Sequence, residues 1–292
     1  MVVVYCSDEN FVQHLLVSIT SLHHHNKCEE LIIYILDGGI SKTSNALLKH
    51  FSEKAGFNLS FIEVDISLYE NFLVDGHISR ATYYRISIPD LLPVEHDKVL
   101  YLDCDIVVND SIVDLWQHVM GDFAIAAVPE FDNIRNIEMG LGNTKTFNAG
   151  VLLLNLKKWR AQDLSSKVLI FIKENSEKIK FHDQDALNAV LVQDWLELPI
   201  KWNLTSKFIA RRKGIINKEL LNQIDQPAII HFNESFKPWH YQLRHPKKYL
   251  YRKFLKKTPF KKYSPPDRTF INVIRKGAAL LLISLRLKKQ YG

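Results

Sequence analysis

The stretch Lys98-Val99-Leu100-Tyr101-Leu102-Asp103-Cys104-Asp105-Ile106-Val107-Val108 sets two carboxylates inside an aliphatic run. Such a run reads as a buried strand of a parallel sheet. Side chains alternate along a strand, so Asp103 and Asp105 are expected on one face and Cys104 on the other. Two bare carboxylates at the end of a buried strand cost several kcal/mol each, so a cation is expected with them. Open α/β sheets bind ligands at the carboxyl ends of their strands, and a divalent metal holding a phosphorylated ligand suits that position. An isolated Asp-x-Asp is usually an acidic turn; the partners found elsewhere in the chain argue for the metal here.

Working outward, Val2–Cys6, Leu31–Leu36 and Leu59–Val64 read as strands, separated by helical patterns from Phe11 and over Thr43–Phe51. This β-α-β-α-β order is the nucleotide-binding half of a doubly wound sheet. No G-x-G-x-x-G is present, which argues against a dinucleotide cofactor. Asp8 and Asn10, at the end of the first strand, either cap the following helix or hydrogen-bond a base or ribose. His77–Ile86 reads as a helix entering the acidic strand, with Arg80 and Arg85 available to phosphate or sugar. Ile125–Val128 is a short strand, and Glu130–Lys145 reads as a long loop beside the site. Phe147–Asn155 is a second apolar strand, and its small residues Asn148, Ala149 and Gly150 allow a ligand to approach the backbone. Phe181–Leu191 reads as a helix with Asp183 and Asp185 near its N-terminus, where they suit the dipole, and Gln184 between them free to bond a sugar. Ala228–Phe232 is a last strand. His231 with the Asp-x-Asp would make a mixed N/O site that favours Mn²⁺ over Mg²⁺. Lys237, six residues on, is placed to meet a diphosphate.

Length and composition are consistent with this. The 292 residues are 47% hydrophobic, enough for one large α/β domain. Cys6, Cys28 and Cys104 form no disulfide framework, the first residues lack a basic leader, and no apolar run reaches 18 residues. A reducing, cytoplasmic setting is expected. The charge is uneven: residues 244–292 carry +14, leaving −8 for the first 243 against the overall +6. Basic pairs interleaved with aromatic and aliphatic residues suit a helix lying in an anionic membrane surface, at the inner face of the membrane. The division is thus 1–243 as the nucleotide-binding domain and 244–292 as a membrane-associating tail, and a chain cut near residue 245 is expected to stay active. Nucleic acid is not expected as a partner, since no stacking platform of the RNP kind is present.

The ordered set Ser7-Asp8-Glu9-Asn10, Tyr101-Leu102-Asp103-Cys104-Asp105, Phe147-Asn148-Ala149-Gly150-Val151, Asp183-Gln184-Asp185 and His231-Phe232-x5-Pro238-Trp239 resembles glycosyltransferase family 8. Within that family the likeness is to the bacterial lipopolysaccharide α-galactosyl- and α-glucosyltransferases, over about residues 2–243. The resemblance implies a GT-A fold, α/β with a mixed, mainly parallel sheet, and retaining transfer from a UDP-hexose with Mn²⁺ or, in its place, Mg²⁺. It implies Asp103, Asp105 and His231 as metal ligands, and Asp8, Asn10, Cys104 and Lys237 at the donor nucleotide. Arg85, Asn148, Ala149, Asp183 and Gln184 would hold the donor sugar, with Asp183 and Gln184 the candidates for catalysis. Glu130 falls in the acceptor pocket. The implied acceptor is a saccharide, free or lipid-linked; a glycoprotein acceptor, or a sugar-nucleotide-binding protein without turnover, are the alternatives. One position departs from the pattern: Glu234 stands where the family often has glycine.

Overall fold

All six residues of β1 (Val2–Ser7) are buried, so this strand has to lie between others and under helices on both faces. In the computed structural model, which describes residues 1–74 and 79–284, it pairs in parallel with β2 (Ile32–Asp37) on one side and β4 (Lys98–Leu102) on the other. β3 (Asn58–Glu63) extends the parallel half beyond β2. On the far side β7 (Phe147–Asn155) runs antiparallel to both β4 and β6 (Ile125–Pro129), and β8 (Trp195–Glu197) closes the edge parallel to β6. The seven strands are ordered β3-β2-β1-β4-β7-β6-β8. The sheet is therefore mixed and mainly parallel, as expected.

Helix α1 (Val12–His25) turns Leu15, Leu16, Ile19 and Leu22 onto one face of the sheet, an i, i+3/i+4 stripe that joins Val3, Tyr5 and Leu100 in one core cluster. The opposite face is covered in part by α2 (Leu164–Glu174) and α3 (His182–Val190) over Val2, Val4, Tyr101 and Leu152. The second helical pattern is observed over Lys42–Ala55, capped by the Ser41 hydroxyl on the Ser44 N–H.

Three expectations about local structure are corrected. The acidic stretch is not one strand. β4 ends at Leu102, the chain turns through Asp103–Asp105, and Ile106–Val108 (β5) pairs antiparallel with β9 (Ile229–His231) in a separate two-stranded sheet. Aliphatic residues on both sides of the turn hide it in the sequence, because both short strands are buried. The segment before β4 is an eight-residue 3-10 helix, Arg80–Ser87, with Ser79 as its cap; His77 and Ile78 lie outside the described residues. The Glu130–Lys145 loop also contains a short helix, Ile134–Glu138.

The basic C-terminal segment divides in two. Its first helix, α4 (Lys248–Leu255), buries Leu250, Tyr251, Phe254 and Leu255 against Val17 of α1, Val107 of β5 and Trp239, and Phe260 and Tyr263 pack beside them. This first helix is therefore packed into the body rather than held apart from it. Burying a large apolar side chain stabilises by roughly 1.5–3 kcal/mol, so a cut near residue 245 would strip several such contributions. The second helix, α5 (Phe270–Ser284), leaves Phe270, Ile271, Val273, Ile274, Leu281 and Leu282 exposed. No helix among the described residues is long and apolar enough to cross a membrane.

Candidate active site

The turn between β4 and β5 does the placing. The Asp103 N–H donates to the Gly150 carbonyl at 2.9 Å, continuing the β4–β7 ladder by one residue. Two residues later the Asp105 carbonyl accepts the Phe232 N–H at 3.1 Å, continuing the β5–β9 ladder. Asp103 is therefore fixed by one sheet and Asp105 by the other, and His231, opposite Ile106 in the β5–β9 register, lies between their carboxylates. Its Nε2 is 3.1 Å from Asp105 Oδ1 and 3.5 Å from Asp103 Oδ2. One ligand atom from each of the three residues lies within 4.8 Å of the others.

These residues fit a cation. The buried Asp105 Oδ1 has no hydrogen-bond partner despite its closeness to the imidazole, which a shared cation would relieve. Gly150 lies against the imidazole: a Cβ there would fall 2.2 Å from His231 Cε1 and 2.9 Å from Asp103 Oδ2, so only glycine leaves the two ligands in place. Two carboxylates and one imidazole form a mixed donor set that accommodates a first-row divalent ion.

Lys237 completes the centre. Its buried Nζ donates to Asp105 Oδ2 at 2.7 Å and to the Phe232 carbonyl at 3.1 Å. Burial alone would push the Asp105 carboxyl up, but the Lys237 ammonium bonded to it holds it well below the usual carboxylate range.

Arg85 organises the neighbouring wall. It is buried between Asp103 (3.0 Å) and Asp183 (2.9 Å), donates to the Ala149 carbonyl, and stacks on the Tyr101 ring. Desolvation opposes its charge, yet the two carboxylates keep the guanidinium protonated. Asp183, 2% exposed, also accepts from the Thr82 hydroxyl at 2.7 Å. Burial raises its pKa, and Arg85 and Thr82 offset that only in part. Gln184 is oriented unambiguously. Its Oε1 accepts the Ala149 N–H at 3.0 Å and Asn148 Nδ2 at 3.2 Å, which turns its amide nitrogen toward Glu130. Glu130 Oε1 also accepts Asn148 Nδ2 at 2.9 Å, and Lys207 lies 3.6 Å from its other oxygen.

A cavity of about 640 Å³ opens over these groups, with Arg85, Asp103, Cys104, Asp105, Glu130, Asn148, Ala149, Asp183, Gln184, His231 and Lys237 all in its wall. Asp8 and Asn10 are not in that wall. They form an exposed turn next to Ser7, which is, and there Asp8 caps the turn by accepting the Asn10 N–H at 2.9 Å. The Cys104 thiol donates to the Cys6 carbonyl at 3.3 Å. Arg80 is also outside the wall, and its guanidinium bonds the Glu70 carbonyl. Glu234 lies at the cavity.

Sequence reasoning missed several supports. Thr82 holds both Arg85 and Asp183. Tyr101 donates to Asp103 Oδ1 at 2.5 Å. Asn188 bonds both main-chain groups of Phe147 and the Gln184 carbonyl, locking α3 to β7. Arg135, from the short helix in the Glu130–Lys145 loop, forks onto the buried Asp185 at 2.7–2.9 Å. Only Asn188 had a visible signal, its i+4 spacing from Gln184 on a helix.

An acidic turn at the head of a parallel half-sheet, an imidazole from a late strand, a lysine from the segment after it, and a cavity above them are the arrangement of a glycosyltransferase of the GT-A type. The Glycosyl transferase family 8 model matches residues 2–242, and the chain belongs to that family. It is 35% identical to General stress protein A of Bacillus subtilis (strain 168) over 84% of its own length and 90% of that protein. It is 26% identical to the Lipopolysaccharide 1,2-glucosyltransferase of Escherichia coli (strain K12), covering 96% of this chain and 85% of the other. Its fold is similar to that of the galactosyltransferase LgtC solved with donor and acceptor sugar analogs, with a TM-score of 0.81 at 26% identity, over 91% of this chain and 98% of that one.

Proposed function

We propose that the chain transfers a hexose, galactose or glucose, from a UDP-sugar to a saccharide acceptor with retention of anomeric configuration, in the synthesis of lipopolysaccharide or another cell-surface glycan. The observation that carries this reading is the convergence of Asp103, Asp105 and His231 beside Lys237, on the wall of the same cavity as Gln184. The likeness to a glucosyltransferase of lipopolysaccharide and to a galactosyltransferase supports the hexose and the glycan.

The three ligands would hold Mn²⁺, or Mg²⁺ in its place, which when bound supplies Lewis-acid stabilisation of a diphosphate leaving group. Lys237 adds a fixed positive charge there, already oriented before the donor arrives. Asp8 and Asn10 offer hydrogen bonds for uridine and ribose at the end of β1, and Cys104, bonded to the Cys6 carbonyl of that strand, joins them at the nucleotide. Arg85 and the Asn148–Ala149 backbone hold the hexose, and Gln184 presents its amide to the reacting sugar. Glu130 meets the acceptor.

Retention usually asks for a carboxylate nucleophile. Asp183 is committed to Arg85 and Thr82, and Gln184 is an amide. We therefore favour front-face transfer, with Asp183 orienting Arg85 and the departing phosphate oxygen taking the acceptor's proton.

The exposed apolar residues of α5 support an anionic membrane surface as a partner. Lys276 turns toward the body, donating to the Tyr241 carbonyl at 2.5 Å, while the large apolar residues of the helix stay exposed. Peripheral attachment at the inner face of the cell membrane follows from this reading.

UDP release measured with UDP-galactose and UDP-glucose, with and without Mn²⁺, tests the enzyme. Metal-dependent release from one donor is expected. Release from neither donor, with UDP still bound, would favour a sugar-nucleotide-binding protein instead.

A further inference from the structure

Asn203 has no place in the chemistry above, yet it is fully buried behind the imidazole. It follows the short turn Ile200–Trp202, and its side-chain Nδ2 donates to Asn148 Oδ1 at 2.8 Å, while its Oδ1 lies 3.1 Å from His231 Nδ1. The proton positions here follow from the backbone. The Gly150 N–H is a fixed donor, and the atom of Asn148 that receives it at 3.1 Å is Oδ1. Asn148 Nδ2 is correspondingly spent on the acceptors Glu130 Oε1 and Gln184 Oε1. The Asn203 atom facing Asn148 Oδ1 must then be its NH₂, so its oxygen is the atom facing His231. His231 Nδ1 meets two acceptor oxygens, those of Asn203 and of Asn148 (3.2 Å). It therefore carries the hydrogen. Nε2 is the nitrogen turned to Asp103 and Asp105, and in the neutral ring it carries the free lone pair there.

We propose that Asn203 is a positioning residue that fixes the Nδ1–H tautomer and ring orientation of His231, and through the same amide sets Asn148 toward the sugar pocket. The imidazole is thereby presented as a ligand before any cation arrives. Loss of such a supporting partner typically weakens metal binding about 10- to 100-fold.

The inference rests on the cation reading of the site, and the experiment separates the two. Mn²⁺ alone is titrated into the full-length chain, free ion being read by electron paramagnetic resonance, for wild type, Asn203→Ala and Asn203→Leu. Wild type is expected to bind, and the variants to bind about 10- to 100-fold more weakly with near-native circular dichroism. No Mn²⁺ binding by wild type would overturn the cation reading itself. Wild-type affinity in either folded variant would overturn the role of Asn203 and leave that reading standing. Long-range ¹H–¹⁵N imidazole spectra of the wild type, with His231 assigned from its absence in His231→Gln, give a test that needs no Asn203 variant. An Nδ1–H is expected, and a neutral ring protonated at Nε2 and not at Nδ1 would refute the proposal.

Discussion

Lys237 Nζ and Asp105 Oδ2 meet at 2.7 Å in a setting where both side chains are almost wholly buried. A buried pair of this kind is costly to break, because removing one partner strands the other charge. The lysine is therefore held in position by the very carboxylate that faces the cation site. Lys237→Ala is expected to lower kcat by roughly 10²-fold, on the scale of losing one preorganised charge. Steady-state kinetics with donor and acceptor varied separately checks this; a change confined to acceptor KM would refute the diphosphate role.

Asp103→Asn and Asp105→Asn should both abolish metal-dependent turnover while leaving the fold intact. Their stabilities should differ. Asp105→Asn leaves the Lys237 ammonium without its anion, whereas Arg85 keeps Asp183 when Asp103 is lost. Asp105→Asn should therefore be the less stable by about 1–3 kcal/mol, measurable in urea. Near wild-type turnover by either variant would remove the Asp-x-Asp from the metal site.

Gln184→Ala should reduce transfer much more than UDP affinity, because Gln184 meets Asn148, Ala149 and Glu130 and no group assigned to the nucleotide. Calorimetry with UDP in the presence of Mn²⁺ distinguishes the two effects. Loss of UDP binding would contradict the assignment.

The Lys248 ammonium donates to the His240 and Tyr241 carbonyls, and burial, with Lys276 and Arg252 nearby, lowers its pKa from 10.5 to about 7. Between those two values the unfolded chain holds a proton that the native one has released, so this residue's contribution to stability increases as pH rises. The difference in thermal midpoint between wild type and Lys248→Met should therefore shift in favour of wild type from pH 6.5 to pH 9.5. Melting curves showing a constant difference would reject the low pKa.

A chain ending at residue 268 keeps α4 and the cluster around Tyr251 but loses α5. It should release UDP from donor at close to the full-length rate in solution, and should fail to pellet with phosphatidylglycerol vesicles at low salt. Equal pelleting of both chains, or of neither, counts against membrane attachment through α5. A chain ending at 245 should instead melt at a markedly lower temperature.

Most of what surrounds the site was legible because it is carried by pattern. β1, β2 and β7 are apolar runs of strand length, β3 carries Leu59, Phe61 and Ile62 in a strand-length segment, and α1 has its stripe. Asp103, Asp105, His231 and Gln184 sit at or next to the ends of such elements, and Lys237 follows the last strand by six residues. The break at Asp103–Asp105 was not legible, since β4 and β5 are both buried and both aliphatic. Thr82, Arg135 and Asn203 reach the site from segments without periodicity, and their value lies in partners remote in sequence. The fate of α4 was obscured by charge: Leu250, Tyr251, Phe254 and Leu255 do recur at helical spacing, but the three basic residues of the same helix, Lys248, Arg252 and Lys253, drew the eye to solvent or membrane.

The pairing of β5 with β9 also bears on how the protein is made. Ile106 and His231 are register partners, so the loop between them spans most of the middle of the chain. Closing a long loop costs entropy before any contact offsets it, and such pairings form late. A ribosome that has emitted the first 200 residues has made both carboxylates, Arg85 and Gln184, but neither the imidazole nor the lysine. Until β9 emerges and docks, the nascent chain carries an acidic turn with no counter-charge from Lys237, and it becomes able to capture a cation only once almost the whole body has been synthesised.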